Sequence, residues 1–187
     1  IDTLGEKLAQ IAPHAKAAAI IDENIEASHG RVALRALKRG DYDVTVAVAP
    51  TSEKLKSLGT VQELLGILLD AKLERKSPVV AIGGGIIGDT AGYVAASYLR
   101  GVPFVQVPTT LLSMVDASVG GKVGVNVKQG KNLVGAFHQP VLVCIDTDVL
   151  KTLPDRELRC GLAECVKNGV IRDPELFAWI EDNVDRI

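Results

Sequence analysis

Short apolar runs alternate along the chain with longer stretches in which apolar residues return every three or four positions. Residues 17–21, 44–48 and 79–82 form the first three runs, each bounded by polar or turn residues, and predict strands. Residues 2–11, with Leu4, Leu8 and Ile11 on one stripe, and residues 60–75, with Val61, Leu64, Leu65, Leu68 and Leu69, predict amphipathic helices. Strands alternating with helices imply a parallel sheet covered on both faces. Residues 104–107 and 141–145 add two strands by the same logic. Between them, residues 109–139 are rich in Gly and Lys and carry little simple periodicity, which predicts a long irregular connection of the kind that usually serves function. From Pro154 onward the pattern is helical, with Asp155 as a cap and Pro174 opening a further helix. The expected division is an α/β domain over 1–152 and the first helices of an α-helical domain over 153–187, with the boundary near 150–154.

Both ends read as cut. The helical pattern begins almost at Ile1, so an earlier strand is expected to be missing, and the stripe of Leu176, Phe177, Ile180 and Val184 runs to the end as if awaiting a downstream partner.

Composition narrows the classes. With 47% hydrophobic and 24% charged residues, the chain can bury a sizeable core. A net charge of -2 and 4% aromatic residues argue against a nucleic-acid partner. No stretch approaches the roughly 20 apolar residues of a membrane helix, and none resembles a signal peptide. Cys144, Cys160 and Cys165 have neither zinc-ribbon nor disulfide-framework spacing, so buried thiols in a reducing compartment are expected.

The sharpest local signal is residues 79–89, a buried strand running into Gly83-Gly84-Gly85 and then Gly88-Asp89 at the mouth of a helix expected over 90–99. Glycines let a pyrophosphate approach the backbone, and a helix start offers free N–H groups and about half a positive charge. Gly83, Gly85 and Gly88 satisfy the spacing of a dinucleotide fingerprint. The acidic residue expected about 20 positions later is replaced by the apolar run 104–107, which disfavours an ordinary dinucleotide domain and leaves a plain tight turn open.

Thr109 and Thr110, directly after a strand, suit either a helix cap or a cofactor wall. Asp116 precedes Gly120-Gly121-Lys122, and Gly130-Lys131-Asn132 follows; two Gly-Lys steps so close suit a phosphate or carboxylate, or else form a solvated loop. Arg100 by itself reads as a favourable charge at a helix end. On a helix expected over 156–170, Glu164 and Lys167 share a face, and Gly161-Leu162-Ala163 is too apolar for a free surface. A partly buried Glu164 needs a cation, either Lys167 or a metal.

Taken in order, Gly83 to Asp89, Tyr98-Leu99-Arg100-Gly101-Val102, Gln106 to Leu112, Met114-Val115-Asp116, the two Gly-Lys steps and Gly161-Leu162-Ala163-Glu164 with Lys167 resemble the 3-dehydroquinate synthases, from about Asp22 to the last residue. The resemblance implies a Rossmann-like parallel-sheet NAD-binding domain followed by a helical domain, with a divalent metal, zinc or cobalt, at the junction. It implies that Asp22, Asn24, Glu53 and Lys56 contact the adenosine end of NAD, that Gly84, Gly85 and Asp89 serve its pyrophosphate and nicotinamide side, and that Thr109, Thr110 and Lys131 complete the wall. It further implies that Asp116, Lys122, Asn132 and Lys167 contact substrate, that Arg100 reaches the substrate phosphate across a homodimer interface, and that Glu164 is the first metal ligand. Cys160 stands where the family commonly has Ser or Asn, and the remaining metal ligands are expected beyond Ile187.

The implied reaction oxidises one hydroxyl of 3-deoxy-arabino-heptulosonate 7-phosphate with NAD, eliminates phosphate, returns the hydride and closes a carbocycle by an aldol step, in a cytoplasm or a plastid. Rivals are another sugar-phosphate cyclase, a metal-dependent alcohol or glycerol dehydrogenase, and a nucleotide-binding module without turnover. The last is the expectation for the 187 residues alone.

Overall fold

The protein, seen in a computed structural model that describes residues 1–186, is built on a five-stranded sheet. In chain order its first elements are α1 (Leu4–Ile11), β1 (Lys16–Asp22), α2 (Arg31–Arg39), β2 (Asp43–Ala49), α3 (Leu58–Asp70), β3 (Val79–Gly83), α4 (Gly85–Ser97) and β4 (Phe104–Pro108). There follow β5 (Lys122–Val127), β6 (Gly130–Phe137), β7 (Leu142–Val143), α5 (Asp155–Arg172) and α6 (Pro174–Asn183). The strand order is β2-β1-β3-β4-β7, every pair parallel.

Alternation within the strands divides the core. Ala18, Ile20, Val79, Ala81 and Phe104 face α3 and α4, packing with Leu64, Leu68, Ala91 and Val94. Ala17, Ala19, Ile21, Val80, Ile82, Val105 and Val107 face the other way, against Leu4 and Leu8 of α1 and Ala33 and Leu37 of α2. A sheet buried on both faces must read as continuous apolar runs, and these strands do.

The structure corrects several expectations. Residues 109–139 are not irregular: β5 and β6 form an antiparallel hairpin in register from Lys122 opposite Phe137 to Val125 opposite Val134. Val123, Val125 and Val127 alternate at period two, and Val123 and Val125 join the α3–α4 side of the core. The last sheet strand spans Leu142–Val143 rather than 141–145, because Asp146 accepts a hydrogen bond from the Asp148 N–H and starts a helical turn at once. The helix over 60–75 stops at Asp70, where Lys72 turns left-handed at φ 51°. The helix over 90–99 begins at Gly85, so the glycines form its first turn. Asp155 does not cap α5; its side chain makes no cap bond and lies in the first turn, where negative charge still favours the dipole. Asp173 caps α6 ahead of Pro174 by accepting from the Leu176 N–H at 3.0 Å. Cys144 is buried as expected, whereas Cys160 is exposed and Cys165 half-buried.

The hairpin rides directly on α4. A Cβ at Gly92 would lie 2.3 Å from Val123 Cγ1 and 3.0 Å from the Phe104 ring, so the helix can approach this closely only with hydrogen there. Gly92→Ala should therefore lower unfolding stability by about 1–3 kcal/mol, as overpacking does. Gly66→Ala on α3, where nothing lies within 4 Å, should raise it by roughly 0.5–1 kcal/mol. Denaturant unfolding of both variants checks the pair.

Candidate active site

The chain crosses over at β1: it goes outward to β2, then returns past β1 to β3. Open α/β sheets take ligands at such a switch point, beyond the carboxyl ends of the strands. Those ends are Asp22 on β1, Gly83 on β3 and Pro108 on β4. They meet closely, since a Cβ at Gly83 would lie 2.8 Å from Ile87 Cγ1 and 3.0 Å from Asp22 Cβ. Thr110 Cγ2 would sit 3.1 Å from a Cβ at Gly84, and Ala117 Cβ 3.3 Å from one at Gly85. The glycines are there for close approach, leaving a narrow crevice between β3, β4 and the helical turn Ser113–Ala117. No side chain among the described residues caps α4, so the N–H groups of its first turn are free for an anion.

Asp22 closes one side of the crevice. It is nearly buried, and its Oδ1 accepts from the Asn24 N–H at 2.8 Å and from Asn24 Nδ2 at 3.0 Å. Asn24 Nδ2 also donates to Thr51 Oγ1 at 2.6 Å. Glu53 lies in the helical turn Glu53–Leu55 after β2, exposed, with Asn126 Nδ2 donating to its Oε1 at 2.9 Å and Lys131 Nζ 3.3 Å away. The hydrogen bond from Asn126, then Lys131, holds the Glu53 carboxyl below its ordinary range. On the opposite side Thr109 is buried, its N–H bonded to Gly83 O at 3.0 Å. Thr110 and Ser113 cap each other: each side-chain oxygen accepts from the other's backbone N–H at 3.1 Å. Thr110 thus fills the cap role and still touches the glycine turn.

Beside the crevice lies a pocket of about 460 Å³ whose wall includes Asp89, Asp116, Lys122, Asn132, Leu133 and Phe137. Asp89 comes from α4, Asp116 from the following helical turn, and Lys122 and Asn132 from the hairpin. Lys56 ties these parts together. Its side chain is 6% exposed, and Nζ donates to Asp89 Oδ2 at 2.5 Å and Asn132 Oδ1 at 2.6 Å. Lys56 thus joins α4 to the hairpin beside the pocket. The two Gly-Lys steps also separate: Lys122 lines the pocket, while Lys131 pairs outward with Glu53.

Arg100 is exposed and is not among the residues lining the pocket. It follows α4 in a tight turn where Leu99, Arg100 and Gly101 have φ of 48°, 71° and 114°. On α5, packed through Gly161 against Leu111 and Leu112 just ahead of the Ser113–Ala117 turn, the Glu164 Oε2 atom is buried. It meets Lys167 Nζ in an ion pair that lacks hydrogen-bond geometry. Glu164 raises the Lys167 pKa, with a lesser push from Asp116, so this pair lies within electrostatic reach of the pocket. Glu164 fits as one ligand of a metal, but no group of three or more His, Cys, Asp and Glu among the described residues could hold one. Nor is any helix among them long and apolar enough to cross a membrane.

A doubly covered parallel sheet with an uncapped glycine turn at its switch point, flanked by a polar pocket, defines a Rossmann-like α/β protein. The family model described as 3-dehydroquinate synthase N-terminal matches residues 46–160. The chain belongs to the 3-dehydroquinate synthase family. It is 49% identical over 181 residues to the 3-dehydroquinate synthase of Nostoc punctiforme, covering 97% of this chain and 50% of that one. Among solved structures it resembles 2-epi-5-epi-valiolone synthase from Streptomyces hygroscopicus with NAD⁺ and Zn²⁺ bound, at TM-score 0.84 and 35% identity over 90% of this chain and 47% of that one. A 2-deoxy-scyllo-inosose synthase complexed with carbaglucose-6-phosphate, NAD⁺ and Co²⁺ gives TM-score 0.84 at 31% identity over 90% of this chain and 46% of the other. The chain spans about half the length of these relatives.

Burial pushes the Asp89 carboxyl above its ordinary range, against the opposing pull of Lys56 and then Lys122. A carboxyl with a raised folded-state pKa holds its proton more tightly when folded, so its ionisation removes stability as pH rises from the ordinary carboxylate range through the raised value. Lys56→Met takes away the main offset. It should cost about 2–4 kcal/mol at neutral pH, a deficit that narrows on acidification as Asp89 becomes neutral. Denaturant unfolding across pH checks this, and a pH-independent deficit would contradict the ion pair.

Proposed function

We propose that this chain is the dinucleotide- and substrate-binding part of a 3-dehydroquinate synthase, a lyase that converts 3-deoxy-D-arabino-heptulosonate 7-phosphate to 3-dehydroquinate and phosphate in the shikimate route to aromatic amino acids. The observation that carries this reading is the convergence of Asp116, Lys122 and Asn132 with Asp89 in one pocket beside the glycine crevice. A dehydrogenase of a neutral alcohol needs no cation such as Lys122 in a pocket next to its dinucleotide. The 49% identity to a dehydroquinate synthase, against 35% and 31% to cyclases of other sugar phosphates, favours the dehydroquinate branch.

In this reading NAD lies along the switch point, with Asp22, Asn24, Glu53 and Lys56 toward its adenosine end and the first turn of α4 at its pyrophosphate. Lys131 is held near that rim by Glu53, and Thr109 and Thr110 back the nicotinamide side. Bound NAD would supply a reversible hydride acceptor, and a zinc or cobalt ion would polarise the reacting hydroxyl. Glu164 is the one ligand of such an ion proposed from this chain, so no step is derived through the metal.

The chain's own part is binding and orientation. Lys122 and Lys167 are fixed cations for a doubly anionic sugar acid; Asn132 and Asp116 hold hydroxyls in register. Lys56, paired to Asp89 and Asn132, keeps the dinucleotide wall and the substrate wall at one separation. Arg100, exposed in the turn after α4, would serve a neighbouring subunit's phosphate site in a homodimer, in the cytoplasm or a plastid. The domain division falls at 152/153, where the helical turn Thr147–Thr152 ends before α5. The 187 residues alone bind NAD without turning over, since the proposed metal site takes its other ligands from elsewhere.

With the full chain, metal and catalytic NAD, the heptulosonate phosphate should release one phosphate per turnover with no net NADH. Lys122→Ala should lower kcat/KM by roughly a hundredfold or more, as expected for loss of a desolvated charge contact worth about 3 kcal/mol. NADH accumulating in step with turnover would instead mark a dehydrogenase.

A further inference from the structure

The hairpin meets the Glu53–Lys56 turn at a break in its own ladder. Pairing is regular to Val125 opposite Val134, then shifts register before Val127 opposite Gly130, so that Asn126 alone on β5 stands opposite residues 131–133 of β6. The extra residues of such a bulge leave the ladder, and Asn132 is the middle one of the three. Asn126 turns outward: its backbone N–H donates to Lys56 O at 2.8 Å, and it bridges Ser57 in the parallel sense.

Its side chain uses both ends of the amide. Asn126 Nδ2 donates to Glu53 Oε1 at 2.9 Å and to Glu53 O at 3.3 Å, while Asn126 Oδ1 accepts from the Asn132 N–H at 2.9 Å. The network fixes which amide atom is which, because a backbone N–H requires an oxygen and a carboxylate requires a donor. Asn132 has φ 55°, a left-handed conformation that a non-glycine residue keeps when its surroundings impose it. Here its backbone is held by Asn126 and its side chain by Lys56.

We propose that Asn126 is a positioning residue that fuses the two halves of the site: it holds Asn132 in its left-handed, pocket-facing conformation and Glu53 at the crevice rim, so that substrate wall and dinucleotide rim keep one relative position. Asn126 is absent from the pocket lining and so acts through these two residues. The inference rests on reading the pocket as the substrate site and the crevice as the dinucleotide site. Asparagine is required because the post needs one donor and one acceptor at the same short reach. Aspartate keeps the acceptor for Asn132 but sets a like charge against Glu53, and alanine loses both.

The test compares Asn126→Ala and Asn126→Asp in the full chain by amide hydrogen exchange without ligand, and by KM for NAD and for the heptulosonate phosphate. In Asn126→Ala the Asn132 amide should exchange at least tenfold faster while Val123 and Val125 keep their protection, and both KM values should rise threefold or more. In Asn126→Asp the Asn132 amide should stay protected and substrate KM unchanged, with KM for NAD alone rising. Unchanged Asn132 exchange in the alanine variant overturns the inference whatever the activity. So does an equal rise of both KM values in the two variants, accompanied by faster exchange throughout the hairpin, which would mean a merely structural role. A wild-type chain that releases no phosphate, with the Asn132 amide responding as stated, would overturn the functional reading and leave the tether standing.

Discussion

The site is organised around an ammonium group taken out of water. Lys56 Nζ, on a side chain 6% exposed, calls for partners there, since burying an isolated ion costs several kcal/mol. Asp89 and Asn132 supply them, and they belong to different parts of the fold: one to the helix that starts at the glycine turn, the other to the β5–β6 hairpin. Lys56 itself sits just after the helical turn Glu53–Leu55 that leads away from edge strand β2. Three segments distant in sequence are pinned to one point, so the crevice and the pocket cannot drift apart without stranding a charge.

That constraint explains a division of labour. On the crevice side positive potential comes from backbone, the uncapped N–H groups of α4, and the glycines are absences of side chain that let a ligand near them. On the pocket side the charges belong to side chains of both signs, with Lys122 beside Asp89 and Asp116 in the wall and Lys167 nearby on α5 beside Glu164. A dinucleotide with a flat, repeatedly used geometry suits fixed backbone dipoles. A flexible sugar acid suits longer cations that can be aimed one by one.

Much of this was legible in the residues. The doubly covered sheet followed from Ala17 to Ile21, Val79 to Ile82 and Phe104 to Val107, since strands buried on both faces have no polar alternation to obscure them. The glycine turn was visible because three glycines after such a strand have few other uses. The hairpin is not legible there, because Gly120, Gly121 and Gly124 dilute the period of Val123, Val125 and Val127, and the bulge opposite Asn126 interrupts the pairing with β6. The tethers that Lys56 and Asn126 make were hidden for a different reason. Their partners Asp89, Asn132 and Glu53 lie 33, 76 and 73 positions away, and separations of that kind are set by packing, with no local pattern to announce them.

The most direct test of the central claim, that one pinned frame holds a dinucleotide and an anionic sugar acid side by side, is a crystal structure of the full chain with NAD and a non-reacting phosphonate analogue of the substrate. The account predicts the pyrophosphate within hydrogen-bond reach of the N–H groups at the start of α4, the analogue against Lys122, Asn132 and Asp116, and the Lys56 bridge unbroken between them. A dinucleotide seated away from the glycine turn, or an analogue bound while Lys122 and Asn132 face open solvent, would contradict it.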